Sequence, residues 1–345
     1  MNRWAVVLAG GVGSRFWPVS TPRRPKQLLP LATAHPLLTD TLSRLGPLVP
    51  ASQTLILTND SLVESISLLA PEIPRENIIA EPRPAGTAAA LAWAAHEIAL
   101  RGGPDAVMIS VHADWAVLDA EGFRAALSRA ADAAERHHAL VTVGVVPVRP
   151  DPGLGYIQPG EEQSPGVRKV ARFIEKPDRA RAEVMVRDGF LWNSGIFVWR
   201  VGDFLDELSA LTPEVAPYLV ANSNSLPGFF GALPTSISID VGLLERSTKV
   251  MVLAGDFGWD DVGTWAAVRR VRELDAAHNA LNGDVHVVAS NGNVVHAEAG
   301  TVVLFGVSDL VVVVHDGLTL VTTVERATDL KSLIDALPAT VRDIP

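Results

Sequence analysis

Five short apolar runs before residue 150 alternate with helical stretches, and this alternation constrains the fold more than any other feature of the chain. Trp4 to Ala9, Thr54 to Thr58, Asn77 to Ala80, Ala106 to Ser110 and Leu140 to Val146 are apolar with little period-two alternation. Strands covered on both faces read this way. The clearest helix between them runs from Ala88 to Arg101, with Thr87 as N-cap and Gly102-Gly103 after the last turn. Strand and helix in alternation predict an α/β fold, a mostly parallel sheet with helices on both faces. Ligands of such sheets sit at the carboxyl ends of the strands.

From Asp151 to about Arg272 the pattern is mixed, broken at Asp151-Pro152-Gly153 and Pro227-Gly228, as expected of insertions that build a pocket. After Asn282 it changes abruptly. Val285 to Ala289, Val294 to His296, Val302 to Phe305, Leu310 to Val314 and Leu318 to Thr322 are strand-sized, separated by turns at Asn291-Gly292, Ala299-Gly300 and Asp316-Gly317. A final helix is expected from about Thr328 to Leu337. The expected division is an α/β domain over 1–281 and a small all-β domain, solenoid or barrel, over 282–345.

A chain of 345 residues, 48% hydrophobic and 20% charged, can bury a core large enough for this plan. Its longest apolar stretches are strand-sized, far from the roughly 20 residues that cross a bilayer, so no membrane association is expected. Met1-Asn2-Arg3-Trp4 runs straight into a strand without a secretory signal, and there is no cysteine. Both features point to a cytoplasmic enzyme. A net charge of −10 argues against nucleic acid as a partner. Yet no acid precedes Asp40, while Arg3, Arg15, Arg23, Arg24 and Lys26 all do. Such a segment is either a site for a small polyanion or a solvated basic surface.

The first strand leads directly into Gly10-Gly11-Val12-Gly13-Ser14-Arg15-Phe16-Trp17-Pro18, followed by Pro25-Lys26-Gln27. Glycines after a strand let backbone N–H groups approach phosphate, and Arg15 and Lys26 would add charge. Taken alone, the loop could equally be a tight turn with incidental charges. It is not a dinucleotide fingerprint, since Phe16 stands where the third glycine belongs and no acid lies about 20 residues beyond the loop. This removes the dehydrogenase reading. Nor does Gly-Lys-Ser/Thr follow, as a Walker A loop requires.

The complete string resembles the N-terminal signature of the sugar-1-phosphate nucleotidyltransferases, with Trp-Pro and Gln pointing to the mannose-1-phosphate guanylyltransferase branch. Further motifs resemble that family in order: Phe173-Ile174-Glu175-Lys176-Pro177, Trp192-Asn193-Ser194-Gly195-Ile196-Phe197, Ser236 to Asp240 with Glu245, and Trp259-Asp260-Asp261-Val262-Gly263-Thr264-Trp265. The C-terminal segment resembles the family's left-handed β-helix domain. The resemblance spans essentially the whole chain. It implies a Rossmann-like α/β domain that transfers GMP from GTP to mannose 1-phosphate with Mg²⁺, releasing GDP-mannose and pyrophosphate. A homodimer is a further implication.

Residue by residue, the resemblance implies Gly10, Gly11 and Gly13 at the nucleotide and Arg15 and Lys26 at the triphosphate. It implies Asp114 and Asp261 as Mg²⁺ ligands, Gly155, Glu175 and Asn193 at the sugar, and Lys176 at the sugar phosphate. Arg15, Lys26, Lys176, Asp114 and Asp261 are the expected catalytic set. Glu81 and Thr87 are expected at the base, because a carboxylate accepts from guanine N1–H and N2–H₂ where adenine cannot donate. A lone Asp is commonly a cap or loop acid, and Asp260 competes with Asp261 by adjacency. Glu175 and Lys176 would face opposite ways on a strand unless the chain twists before Pro177. His112, Trp192, Phe197 and Trp199 are expected to be structural. The chain departs from the family at Gly86, where Asn is common, at Trp115, where His is common, and at Leu154, where Tyr is common. These departures leave the reaction class intact but keep open another hexose 1-phosphate or nucleotide. A reading of a different class is a catalytically silent subunit that binds nucleotide sugar, against which Arg15, Lys26, Asp114, Lys176 and Asp261 together argue.

Overall fold

The computed structural model describes residues 2–11 and 14–342. Gly13, one of the expected nucleotide-binding glycines, lies outside them. The strands in chain order are β1 (Arg3–Leu8), β2 (Thr54–Asn59), β3 (Ile78–Glu81), β4 (Val107–His112), β5 (Ala116–Val117), β6 (Leu140–Val145), β7 (Tyr156–Ser164) and β8 (Val167–Ile174). They continue with β9 (Leu191–Arg200), β10 (Val250–Gly255), β11 (Trp259–Asp260), β12 (Ala280–Val288), β13 (Val294–Phe305), β14 (Leu310–His315) and β15 (Leu318–Thr323). By contacts the chain groups into two compact units. One comprises Met1–Gly10, Ser43–His112 and Asp119–Trp259, and the other Gly11–Leu42, Ala113–Leu118 and Asp260–Pro345.

The first unit holds a nine-stranded sheet of order β3-β2-β1-β4-β9-β6-β10-β8-β7. Its pairings give β1, β2, β3, β4, β6, β7 and β10 one direction, with β8 and β9 running against them. The sheet is therefore mostly parallel and flanked by helices, as the alternation predicts. In β1 every residue from Trp4 to Leu8 is buried, which explains the unbroken apolar run. Trp4, Val6 and Leu8 share a core with helix Thr87–Gly102, whose face is largely alanine and so lies close against the strands. Helix Ala120–His137 contacts β4, β6, β9 and β10. The Asp119 side chain accepts the Glu121 and Gly122 N–H groups at its start, and His138 at φ +47° ends it.

Thr87 does not cap its helix. The helix begins at Thr87 itself, after Gly86 at φ +85°. The Thr87 hydroxyl instead accepts the Ile239 N–H at 2.8 Å, so a long-range partner replaces the local cap.

The second unit contains a four-stranded sheet of order β12-β13-β14-β15. β12, β13 and β14 stack in parallel, and β15 returns antiparallel on β14. Successive strands in parallel are the arrangement a β-solenoid needs, since a hairpin would reverse direction. β13 is continuous through Ala299-Gly300, where separate strands are expected, but its ladder to β12 is interrupted there: the pairing passes from Asn282↔His296 to Asp284↔Thr301, and Gly300 takes φ +71°. Val294, Val311, Val313 and Leu320 pack with Phe16, Trp17, Val262 and Trp265 in one core. The buried Trp265 indole donates to Trp17 O at 3.0 Å, and Arg272 donates to Pro30 O at 2.6 Å. Glu298 takes Arg24 at 2.7 Å. Burial pushes the Glu298 carboxyl up, but hydrogen bonds from His296, Arg24 and His315 hold it well below the usual carboxylate range. Arg24, one of the early cations, is thus held by the C-terminal strands.

Candidate active site

In the second unit the site is organised by one buried ammonium. Lys26 opens a 3-10 turn, Lys26–Leu28, all of whose residues are buried. Its Nζ lies 3.1 Å from Asp114 Oδ2 and 2.6 Å from the main-chain oxygen of Asp261. A buried lysine needs such partners, because desolvation of an unpaired ammonium costs several kcal/mol. Gln27, the next residue, donates from Nε2 to Gly11 O at 3.0 Å and fastens the glycine loop to this turn. A side chain at Gly263 would meet Asp261 Oδ2 at 2.7 Å and Arg15 Nη1 at 3.4 Å, so the guanidinium and the carboxylate both border the space that Gly263 leaves open. The early cations therefore divide. Arg3 pairs with Asp132 and Arg24 with Glu298, whereas Arg15 and Lys26 lie among the acids expected to hold metal.

The neighbouring acids Asp260 and Asp261 have different surroundings. Asp260 is buried and grips Arg270 at 2.6 and 3.0 Å, and it also accepts the Val262 N–H at 2.9 Å. Its oxygens are engaged in holding the turn. That turn carries Val262 at φ +46°, a strained conformation for a β-branched residue and of the kind that gathers at functional sites. Among the described residues no group of three or more His, Cys, Asp or Glu forms a metal cage. Asp114 through its carboxylate and Asp261 through its main-chain oxygen meet the same ammonium, and an ion such as Mg²⁺, which keeps several waters, takes only one or two protein carboxylates.

In the first unit, β8 ends at Ile174 and the chain turns sharply, with Lys176 at φ +43°. The turn decides the open question of the two side chains. Lys176 Nζ contacts Glu175 Oε1 at 2.5 Å instead of pointing away from it. Across from Glu175 lie Gly155 and Asn193. A Cβ on Gly155 would come within 2.7 Å of Glu175 Oε2 and 3.4 Å of Asn193 Cβ, so only glycine lets the carboxylate approach. Asn193 N–H donates to Gly155 O at 2.8 Å, closing the group. The pairing of β9 with β6 slips after Asn193, passing from Gly144↔Asn193 to Val143↔Ile196. Ser194 and Gly195 form the bulge, with Ser194 Oγ donating to Val143 O at 2.5 Å and Gly195 at φ +73° against His112. Bulges of this kind re-aim side chains beside active sites. Trp192, Phe197 and Trp199 are buried, as expected.

Glu81 ends β3, with its Oε1 3.9 Å from where a Gly10 Cβ would stand. Burial pushes its carboxyl up to about 7. Gly86 follows, and a Cβ there would overlap Ile237 O, so the asparagine common in relatives does not fit this backbone. Ile237 and Ala88 are joined to that segment by backbone bonds, Ile237 N–H to Ala85 O at 3.3 Å and Ala88 N–H to Ile237 O at 3.2 Å.

One residue at this site was given no individual role by the sequence. Asp240 accepts from Asn193 Nδ2 at 2.7 Å. Burial, and secondarily the charge of Glu175, pushes its carboxyl up from the usual range, against the hydrogen bond from Asn193. Its motif was visible, but the partner lies 47 residues away and no local signal marks it.

The nucleotidyl transferase family model matches residues 4–278. The chain belongs to the nucleotidyl transferase family. Mannose-1-phosphate guanylyltransferase of Klebsiella pneumoniae is 34% identical over 96% of this chain and 73% of its own length. Among solved structures, mannose-1-phosphate geranyltransferase from Thermus thermophilus is 33% identical with a TM-score of 0.89, over 97% of this chain and 99% of that one. Mannose-6-phosphate isomerase from Helicobacter pylori is 26% identical with a TM-score of 0.61, over 75% of this chain and 100% of that one. In this nucleotidyl transferase no helix of the described residues is long and apolar enough to cross a membrane.

Proposed function

We propose that this chain transfers GMP from GTP to α-D-mannose 1-phosphate, giving GDP-mannose and pyrophosphate. The observation that carries the reading is the Lys26 ammonium, buried in the glycine loop's own segment and held by Asp114 and the Asp261 main chain. In the reaction a phosphate oxygen of the sugar attacks the α-phosphorus of GTP. A new P–O bond forms, the α–β bridging bond breaks, and pyrophosphate leaves with its electron pair. The protein has little covalent chemistry to do, so holding the phosphates in line and neutralising charge supplies most of the acceleration.

Lys26 and Arg15 bind the triphosphate in this reading, Gly10 and Gly11 approach the base and ribose, and Gly13 belongs to the same nucleotide-binding loop. Asp114 and Asp261 hold Mg²⁺, which when bound neutralises phosphate oxygens. Glu175 and Asn193 read sugar hydroxyls beside the Gly155 backbone, and Lys176 meets the sugar phosphate. Glu81, with Thr87 nearby, reads the guanine edge. A cytoplasmic setting, a homodimer and the absence of nucleic acid among the partners complete the proposal.

A matrix of nucleoside triphosphates against hexose 1-phosphates, scored by pyrophosphate release with Mg²⁺, tests it. GTP with mannose 1-phosphate is expected to exceed every other pair by at least about tenfold, the yield of one well-made polar contact. Preference for another pair would move the chain to a different substrate. No release from any pair would favour a silent nucleotide-sugar-binding subunit, and conversion of mannose 6-phosphate would favour the activity named for the Helicobacter neighbour.

A further inference from the structure

We propose that Asp240 is a positioning residue for the sugar phosphate, fixing the Asn193 amide so that its remaining N–H and carbonyl lone pair face a sugar hydroxyl. The inference rests on the reading of Asn193 as a sugar contact. A side-chain amide has two donors and two lone pairs. In Asn193 one N–H goes to Asp240 Oδ1 at 2.7 Å, and the carbonyl accepts the Gly195 N–H at 3.3 Å. One donor and one acceptor remain. Which of them points where depends on Asp240, since the amide turned over would set its carbonyl against a carboxyl oxygen.

Asp240 is itself anchored on the other side. It begins a π-helical turn, Asp240–Leu244, a form that concentrates at functional sites. Two of the three residues before it, Ile237 and Ile239, are fastened to the start of helix Thr87–Gly102 by the Ile237–Ala85, Ala88–Ile237 and Ile239–Thr87 hydrogen bonds. The positive φ of Gly86 and its lack of a Cβ allow that close approach. The segment is thus built from the base-reading side and ends on the sugar-reading amide. Its carboxyl lies in the fields of both Glu175 and His112. Burial has raised its affinity for a proton, which suits an acceptor fixing a neutral amide more than a charge offered to a cation.

Two measurements on Asp240→Asn and Asp240→Ala test the proposal. In protein labelled with ¹⁵N at asparagine, with the resonance identified through Asn193→Ala, the Asn193 side-chain amide should be protected from exchange in the wild type. It should stay so in Asp240→Asn, whose carbonyl accepts the same N–H, and exchange freely in Asp240→Ala. In steady-state kinetics Asp240→Ala should raise the KM for mannose 1-phosphate about tenfold with the KM for GTP within about twofold, and Asp240→Asn should stay near wild type. Asn193→Ala combined with Asp240→Ala should be no worse than Asn193→Ala alone. An unprotected amide in the wild type, additive losses, or Asp240→Asn as damaged as Asp240→Ala would overturn the assignment. If the amide behaves as expected while no variant moves the sugar KM, Asp240 positions Asn193 but the sugar reading of Asn193 fails.

Discussion

Lys26 and Lys176 are both assigned to phosphate, yet their surroundings are opposite. The Lys26 side chain is 9% exposed and held by two oxygens, the Asp114 carboxylate and the Asp261 main chain, both on acids expected to bind metal. The Lys176 side chain is 65% exposed, follows a left-handed turn and meets the carboxylate of its own chain neighbour. A buried, paired ammonium is already at its working position, and its desolvation is offset before substrate arrives. An exposed one keeps its rotamer freedom, and its position is set mainly by the backbone that carries it. In the second unit the group assigned to the triphosphate is therefore preorganised by charge, and in the first unit the group assigned to the sugar is ordered by a glycine, a bulge and a hydrogen-bonded amide.

The largest test of this contrast is removal of charge from the preorganised end. Asp114→Asn and Asp261→Asn should each lower turnover by about 10²- to 10³-fold. Asp114 pairs with Lys26 through its side chain, so Asp114→Asn should also lower Tm by about 2–4 °C. Asp261 meets Lys26 through its main-chain oxygen, a contact that Asp261→Asn keeps. Calorimetry of Asp114→Asn beside wild type would break the comparison if Tm did not move.

Within the first unit geometry should matter more than charge. Gly86→Asn removes no charge but asks a side chain to overlap Ile237 O at φ +85°. The backbone strain alone costs on the order of 1–3 kcal/mol. A clear fall in denaturation midpoint is expected, with weaker use of both substrates because the Ile237–Asp240 segment must move. Unchanged stability would show that this chain tolerates the relatives' residue.

The smallest expected effect is a pH dependence. Glu81, raised to about 7 by burial, is half protonated near neutrality, and only its ionised form accepts from both guanine donors. The KM for GTP should therefore fall several-fold as pH rises from about 6 to 8, and Glu81→Gln should flatten that profile. The stability contribution has the opposite sign. With a folded value above the ordinary 4.5, it is fully present below that pH and lost as pH rises through about 7. A GTP KM that is flat across this range in wild type would remove Glu81 from base recognition.

Much of this organisation was legible because burial on both faces leaves an unmistakable record. β1, β2, β4 and β6 fall within two residues of their expected bounds, as their runs are apolar from end to end. The glycine loop with Lys26, and Glu175 with Lys176, were visible as motifs. What sequence could not supply were pairings across the chain. Thr87 looked like a cap because its partner, Ile239, is 152 residues away. Resemblance alone favours Asp261 over Asp260 as a metal ligand, and no motif marks the Arg270 that Asp260 holds. Gly300 marks a turn between two strands in the sequence, and in the structure one strand passes through it with its ladder to β12 interrupted at that point. Asp240 stood in a recognised motif without a role, since its role depends on the bulge that aims Asn193.

The division of the two phosphates between the two lysines is tested most directly by the four KM values of Lys26→Ala and Lys176→Ala for GTP and mannose 1-phosphate. A charge-assisted contact to phosphate contributes about 1.5–3 kcal/mol, or one to two orders of magnitude. Lys26→Ala should shift the KM for GTP by that amount, and for pyrophosphate in the reverse direction. Lys176→Ala should shift the KM for mannose 1-phosphate, with an added loss of turnover from poorer in-line alignment. Loss of GTP binding in Lys176→Ala with an unchanged sugar-phosphate KM would contradict the account.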